Sequence, residues 1–137
     1  MATVYIDSTN GSDSVTYVQA QSPATPYKAI LKANASATAG DTCSIVNGTY
    51  LSTDYSGAPD HHAFTRALTL QAQNANSAVM TATSALYVGR ISTSLADGSA
   101  FTIDGVAMSG TGKQAIWQIG KLAGAGYNVT VKNANWS

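Results

Sequence analysis

Two octapeptides, 102–109 (TIDGVAMS) and 130–137 (TVKNANWS), align without a gap at a spacing of 28 residues. Each opens on a Thr–aliphatic pair. Each then passes through a polar residue to one that tolerates left-handed backbone, Gly105 or Asn133, and closes on a large apolar residue and Ser. A looser copy, 68–74 (LTLQAQN), places Thr69 33 residues before Thr102. Such a repeat constrains the fold strongly. A unit of that length cannot bury its own apolar face, so successive units must stack on one another.

The strands within the units are short. In GDTCSIVNGTY, residues 40–50, one strand is stopped by Gly-Asp before it and Asn-Gly after it. Strands are expected over 3–7, 42–46, 67–73, 78–82, 85–88, 101–103 with 106–108, 115–119 and 127–132, with Gly, Asn, Ser or Asp between them. The longest polar interruption, 52–65, reads as a loop. Stacked in parallel, strands of this length align their inward residues into aliphatic columns. Gly and Asn at fixed places turn the corners, and an Asn at a bend is placed to stack on an Asn of the next unit. A β-sandwich also uses short strands. An early helix and a late repeat favour the coil instead. The helix is expected over 26–37, with Thr25 as its cap, Pro26 in the first turn, Tyr27, Ile30, Leu31 and Asn34 at helical spacing, and Gly40 as its stop.

Composition narrows the partners. The chain has 137 residues, enough for one domain or part of one. Apolar residues make up 45%, so a core is affordable, while charged residues make up 10%, against about a quarter in ordinary domains. All seven acidic residues are Asp, which favours turns and caps over helix interiors. The formal net charge is zero and the basic residues are scattered, so no nucleic-acid partner is expected. No apolar run approaches the ~20 residues of a membrane-spanning helix, so no membrane partner is expected either. The opening MATVYIDSTNG lacks the basic start and apolar run of a signal peptide. Cys43 stands alone, which excludes a disulfide within the chain and suits a small buried apolar residue.

The segments YIDSTNGSD, SPATPYKAI, GDT and NGTY, in that order, resemble the opening of the pectate-lyase-like superfamily of right-handed parallel β-helix proteins. The segments ALTLQAQNANSAVMT, FTIDGVAMSG and YNVTVKNANWS are similar to its successive coils. The resemblance implies an all-β fold, a right-handed single-stranded parallel β-helix with an N-terminal capping α-helix. Residues 1–41 would supply the first strand, a loop and the capping helix. Residues 42–137 would form the first coils, continuing in a longer chain. By the same resemblance the helix around Ile30 and Leu31 covers the first coil, and Tyr50 packs near the first corner. The superfamily spans lyases, hydrolases, adhesins and phage spikes, so the motif order specifies fold and not chemistry.

Candidate chemistry is sparse. Asp60, His61 and His62 include the chain's two histidines and sit in the 52–65 loop with Asp54 nearby. Adjacent histidines lack the patterned spacing of strong metal sites, so an exposed loop tip is the plainer expectation and no metal or other cofactor is assigned. Asp104 is the acid that falls within a strand. Arg66 and Arg90 could converge with Asp97 or Asp104 across coils, whereas turn and cap duty is the plainer role for Asp7, Asp41, Asp97 and Asp104. The Tyr and Trp residues suit core and corner packing, or stacking on sugar rings where exposed. Gly110-Thr111-Gly112-Lys113 lacks the spacing of a phosphate loop and reads as a bend.

These readings lead to a virion surface structural protein: a phage tail fibre, tail spike or capsid decoration protein built as a rigid rod. Its partners would be other virion proteins or copies of itself, as a trimer, with cell-surface polysaccharide as a further contact. The location would be virion-surface or extracellular. A polysaccharide lyase or glycoside hydrolase with its site in later coils is the alternative, and a carbohydrate-binding adhesin is another.

Overall fold

Alternation of apolar and polar residues over four or five positions gives strands that bury one face each. A computed structural model describes residues 1–57, 59–83, 87–91, 99–110, 115–119 and 128–136. They form eleven strands: β1 (Thr3–Ile6), β2 (Thr42–Ile45), β3 (Gly48–Leu51), β4 (His62–Phe64), β5 (Thr69–Ala72), β6 (Ala78–Thr81), β7 (Tyr87–Ile91), β8 (Ala100–Asp104), β9 (Val106–Ser109), β10 (Ala115–Ile119) and β11 (Asn128–Lys132). One α-helix, α1 (Ile30–Ser36), lies between β1 and β2. No helix among the described residues is long and apolar enough to cross a membrane.

Among the described residues all strand pairing is parallel, in three short sheets ordered β1-β2-β5-β8-β11, β3-β6-β9 and β4-β7-β10. From β2 onward the chain visits the three sheets in rotation and returns to the first after each pass. The repeat seen in the sequence is a register in space. Thr102 pairs with Thr130, Asp104 with Lys132, and Met108 bridges Trp136. The looser copy pairs too, Thr69 with Thr102.

That register stacks the core. Val4, Cys43, Leu70 and Ile103 form one inward column, each fully buried. Val131 continues it in β11 and is 41% exposed, because no further described strand lies beyond. Ile6 and Ile45 stack in the next inward column. Phe64 and Phe101 meet across the interior with ring centres 5.1 Å apart. Each such aliphatic or aromatic side chain contributes about 1.5–3 kcal/mol by leaving water.

The helix is shorter than the sequence suggests. Tyr27 is extended and bridges Ile6, donating its N–H to Tyr5 O and accepting from Asp7 N–H at its own carbonyl. Those main-chain bonds hold Pro26–Tyr27 as an edge segment beside β1 and delay helix entry to Ile30. Thr25 does not cap; its hydroxyl donates to Gln19 O. The Asp13 carboxylate accepts the N–H groups of Lys28 and Ala29 instead. Ile30, Leu31, Ala33 and Asn34 are buried, and α1 packs on β1 and β4. Arg66 fastens its far end by donating to the carbonyls of Ala35 and Ala37.

Two strands depart from the expected pattern. Residues 48–51 form β3, and β4 lies inside the segment read as a polar loop. Residues 85–86 of the expected 85–88 strand lie outside the described residues, as do residues 111–113 of the bend and Tyr127. At the corners, Gly105 has φ +70° and Asn133 φ +54°, the left-handed turn expected of both. The Asn74 amide donates to Asn47 Oδ1 at 3.1 Å, one Asn above another at the same bend.

Candidate functional site

The outward face of the five-stranded sheet carries two columns. The first is threonine at every level: Thr3, Thr42, Thr69, Thr102 and Thr130 stand in register. Neighbouring strands lie about 4.8 Å apart, so the column presents a hydroxyl and a methyl group at each such step. Thr is β-branched and suits an outward sheet position, and β propensity accounts for part of this. The second column does not repeat. It runs Tyr5, Ser44, Gln71, Asp104 and Lys132.

Asp104 sits within this second column. Its carboxylate accepts from the Asn133 amide at 2.9 Å and pairs with Lys132 Nζ at 3.2 Å. The Asn133 bond, more than the Lys132 charge, holds the carboxyl below the usual carboxylate range, against a smaller opposing effect of burial. A general acid needs a pKa near the working pH. A half-buried carboxylate held ionised is suited to accepting hydrogen bonds, not to delivering a proton. Arg90 belongs to β7, in a different sheet from Asp104, and its side chain is exposed. Arg66 is engaged at the end of α1. Asp97 lies outside the described residues. Asp104, Arg66 and Arg90 are therefore not brought to one place.

Two other acids do local work. Asp7 accepts from the N–H groups of Thr9 and Asn10. Asp41, buried, joins three segments, taking the Tyr17 hydroxyl at 2.6 Å and the N–H groups of Ala2 and Thr38. Burial opposes its charge, yet those three donors hold its carboxyl below the usual range.

The histidine pair departs most from expectation. His61 and His62 are buried, 9% and 1% exposed, and not at an exposed loop tip. His62 opens β4 facing inward, two positions before the buried Phe64. Its Nε2 lies 3.0 Å from Tyr50 O and 2.8 Å from Thr81 O. Since carbonyls only accept, Nε2 carries the proton, and Nδ1 is left bare and buried without a partner. Burial above all pushes the ring's pKa down to about 4. His61 Nδ1 instead meets Asp60 Oδ1 at 2.9 Å. The two rings take different partners, Asp60 for His61 and the Tyr50 and Thr81 carbonyls for His62. Among the described residues no three His, Cys, Asp or Glu side chains are grouped to hold a metal. A mostly apolar cleft of about 150 Å³ lies beside this corner, lined by Leu31, Asn34, Tyr55, Pro59 and Ala63 among others.

The threonine column left a trace in the sequence: a Thr followed by an aliphatic residue or Cys opens five segments (TV, TC, TL, TI, TV). Three of these were legible as repeats. TV at 3–4 and TC at 42–43 lack the flanking similarity that would align them.

No family model matches the chain, and no curated protein matches it. Among solved structures it is similar to a mutant of AlyGC, a PL6 family alginate lyase, with a TM-score of 0.58 at 19% sequence identity. The match covers 96% of this chain and 15% of that one, so the chain spans a small part of that protein's length. What the two share is the arrangement of the backbone.

Proposed function

We propose that the chain is a segment of a right-handed single-stranded parallel β-helix, closed at one end by α1, that serves as a stiff scaffold presenting a hydroxyl-lined face to polysaccharide. The observation that carries this reading is the outward threonine column, unbroken over five strands and flanked by Gln71, Asp104 and Lys132. Fixed hydroxyl, amide and paired charged groups at a regular step suit a linear polymer of repeating polyols. The fold likeness to an alginate lyase supports polysaccharide as the class of partner. A stack in which each strand pairs with those before and after resists bending, which also suits a virion-surface rod such as a tail fibre or spike; association with virion components in a pull-down tests that placement.

The test is titration calorimetry against neutral and acidic linear polysaccharides. Thr→Val keeps the branched shape and removes the hydroxyl. The triple substitution T42V/T69V/T102V is expected to weaken binding at least tenfold without loss of fold. Unchanged affinity would remove the threonine face from the reading, and no binding by the parent chain to any polymer would remove polysaccharide. Lyase or hydrolase action is the second reading, favoured by the same likeness, and is checked by release of reducing ends from the bound polymer.

A further inference from the structure

We propose that the corner closed by His62 is an acid-released latch: protonation of the ring detaches β4 and frees the connection 52–61 while the rest of the stack stays folded.

The geometry sets the condition. The neutral ring shares its Nε2 proton between Tyr50 O, next to the end of β3, and Thr81 O, at the end of β6. It thus ties two successive levels of one sheet to the strand that begins the next. The other ring nitrogen has no acceptor and no water-exposed surface. A second proton at Nδ1 would be a buried donor and a buried charge with nothing to receive either. The ring can satisfy that proton only by leaving the interior.

The surroundings make departure local. β4 is three residues long and lies at the edge of its sheet, paired with β7 alone. From inside it is held by Phe64 against Phe101 and by α1, so its opening exposes one aromatic side chain and the face of α1, less than unfolding the whole stack would expose. The titratable and charged groups near the ring come from each side. His61, on the same connection, disfavours the charge and Asp54, in the turn after β3, favours it. Asp60 is engaged with His61. From β6, the Thr81 contact is a carbonyl. From β7, Gly89 is the paired residue and the Arg90 side chain is exposed. Inside, one carboxylate does not offset the loss of water, and burial dominates. Outside, the imidazolium regains water and comes near Asp54 and Asp60, both exposed. Two states therefore exist, and the proton selects between them. Release also removes Ala63 and Pro59 from the cleft beside α1, exposing the face of Leu31.

The test is amide hydrogen exchange followed residue by residue from pH 7 to pH 3.5, corrected for intrinsic exchange, together with NMR titration of the His62 ring. In the parent chain, protection at residues 62–64 is expected to fall about 100-fold between pH 6.5 and 4, since the open state gains up to tenfold per pH unit, and less at each end of the interval where the ring is half protonated. Protection at β2, β5 and β8 should hold. His62→Gln, whose amide can donate to the same carbonyls and does not titrate, should abolish the pH dependence. The proposal is overturned if residues 62–64 keep their protection at pH 4, if all strands lose protection together, or if the ring titrates above pH 6 with the corner closed. Should His62→Gln fail to fold, the parent chain's exchange profile and ring titration decide the matter by themselves.

Discussion

The corner between β2 and β3 and the corner between β3 and β4 use the same device with different chemistry. The first spans two residues, Val46 and Asn47; the second spans ten, 52–61. Each is tied by a buried ring that donates to main-chain carbonyls. At the first, the Tyr50 hydroxyl donates to Val46 O at 2.7 Å and toward Ile6 O at 3.3 Å. At the second, His62 does so to Tyr50 O and Thr81 O. Burial, the largest cause, pushes the phenol up to about 12 and the imidazole down to about 4. Both shifts favour the neutral ring. The difference is that the imidazole crosses from neutral to charged within a range of pH a protein meets, and the phenol does not.

The comparison breaks most sharply at His62. His62→Ala removes the donor that the Tyr50 and Thr81 carbonyls share and leaves a cavity, and should cost about 4 kcal/mol in urea unfolding. Next comes acid. The folded pKa lies below the ordinary 6.5, so the unfolded chain binds the proton first. Stability from this group is complete above pH ~6.5, falls as pH drops to about 4, and stays flat below that. The full loss is roughly 3 kcal/mol, read as a pH series of melting curves. Tyr50→Phe at the tight corner should cost about 1 kcal/mol, with no change in that acid profile. Asn74→Ala, which removes an exposed amide bond to Asn47, should shift stability by under about 0.5 kcal/mol. A larger effect at Asn74 than at Tyr50 would show that the surface Asn contact, and not the buried ring, sets the tight corner.

The two corners also differ in how far they could be read in advance. Asn47-Gly48 and Gly105 announce tight turns through backbone chemistry that needs no neighbour. Gly105, at φ +70°, takes a left-handed conformation that residues with a Cβ rarely adopt. The wide corner carries no such signal. His-Ala-Phe reads as polar because the sequence shows a histidine and not the two carbonyls waiting for it. The helix was overextended for a related reason. Pro26 and Tyr27 have acceptable helical chemistry, and only the exposed edge of β1 draws Tyr27 into extended pairing. Among site residues, Asp104 was read as lying in a strand. That Asn133 and Lys132 hold it, and that Arg90 stands on another sheet, depends on register and rotation between sheets.

The sequence by itself determined the short strands, the 28-residue spacing, the turn positions and the apolar residues of the columns, because alternation and backbone preference act within a few residues. The tertiary structure decided which threonines share a column, where the helix begins, which acid is paired and which histidine is buried. Each of those depends on a partner distant along the chain, from 12 residues away for His62 and Tyr50 to 29 for Asp104 and Asn133, brought close only by the folding of the chain on itself.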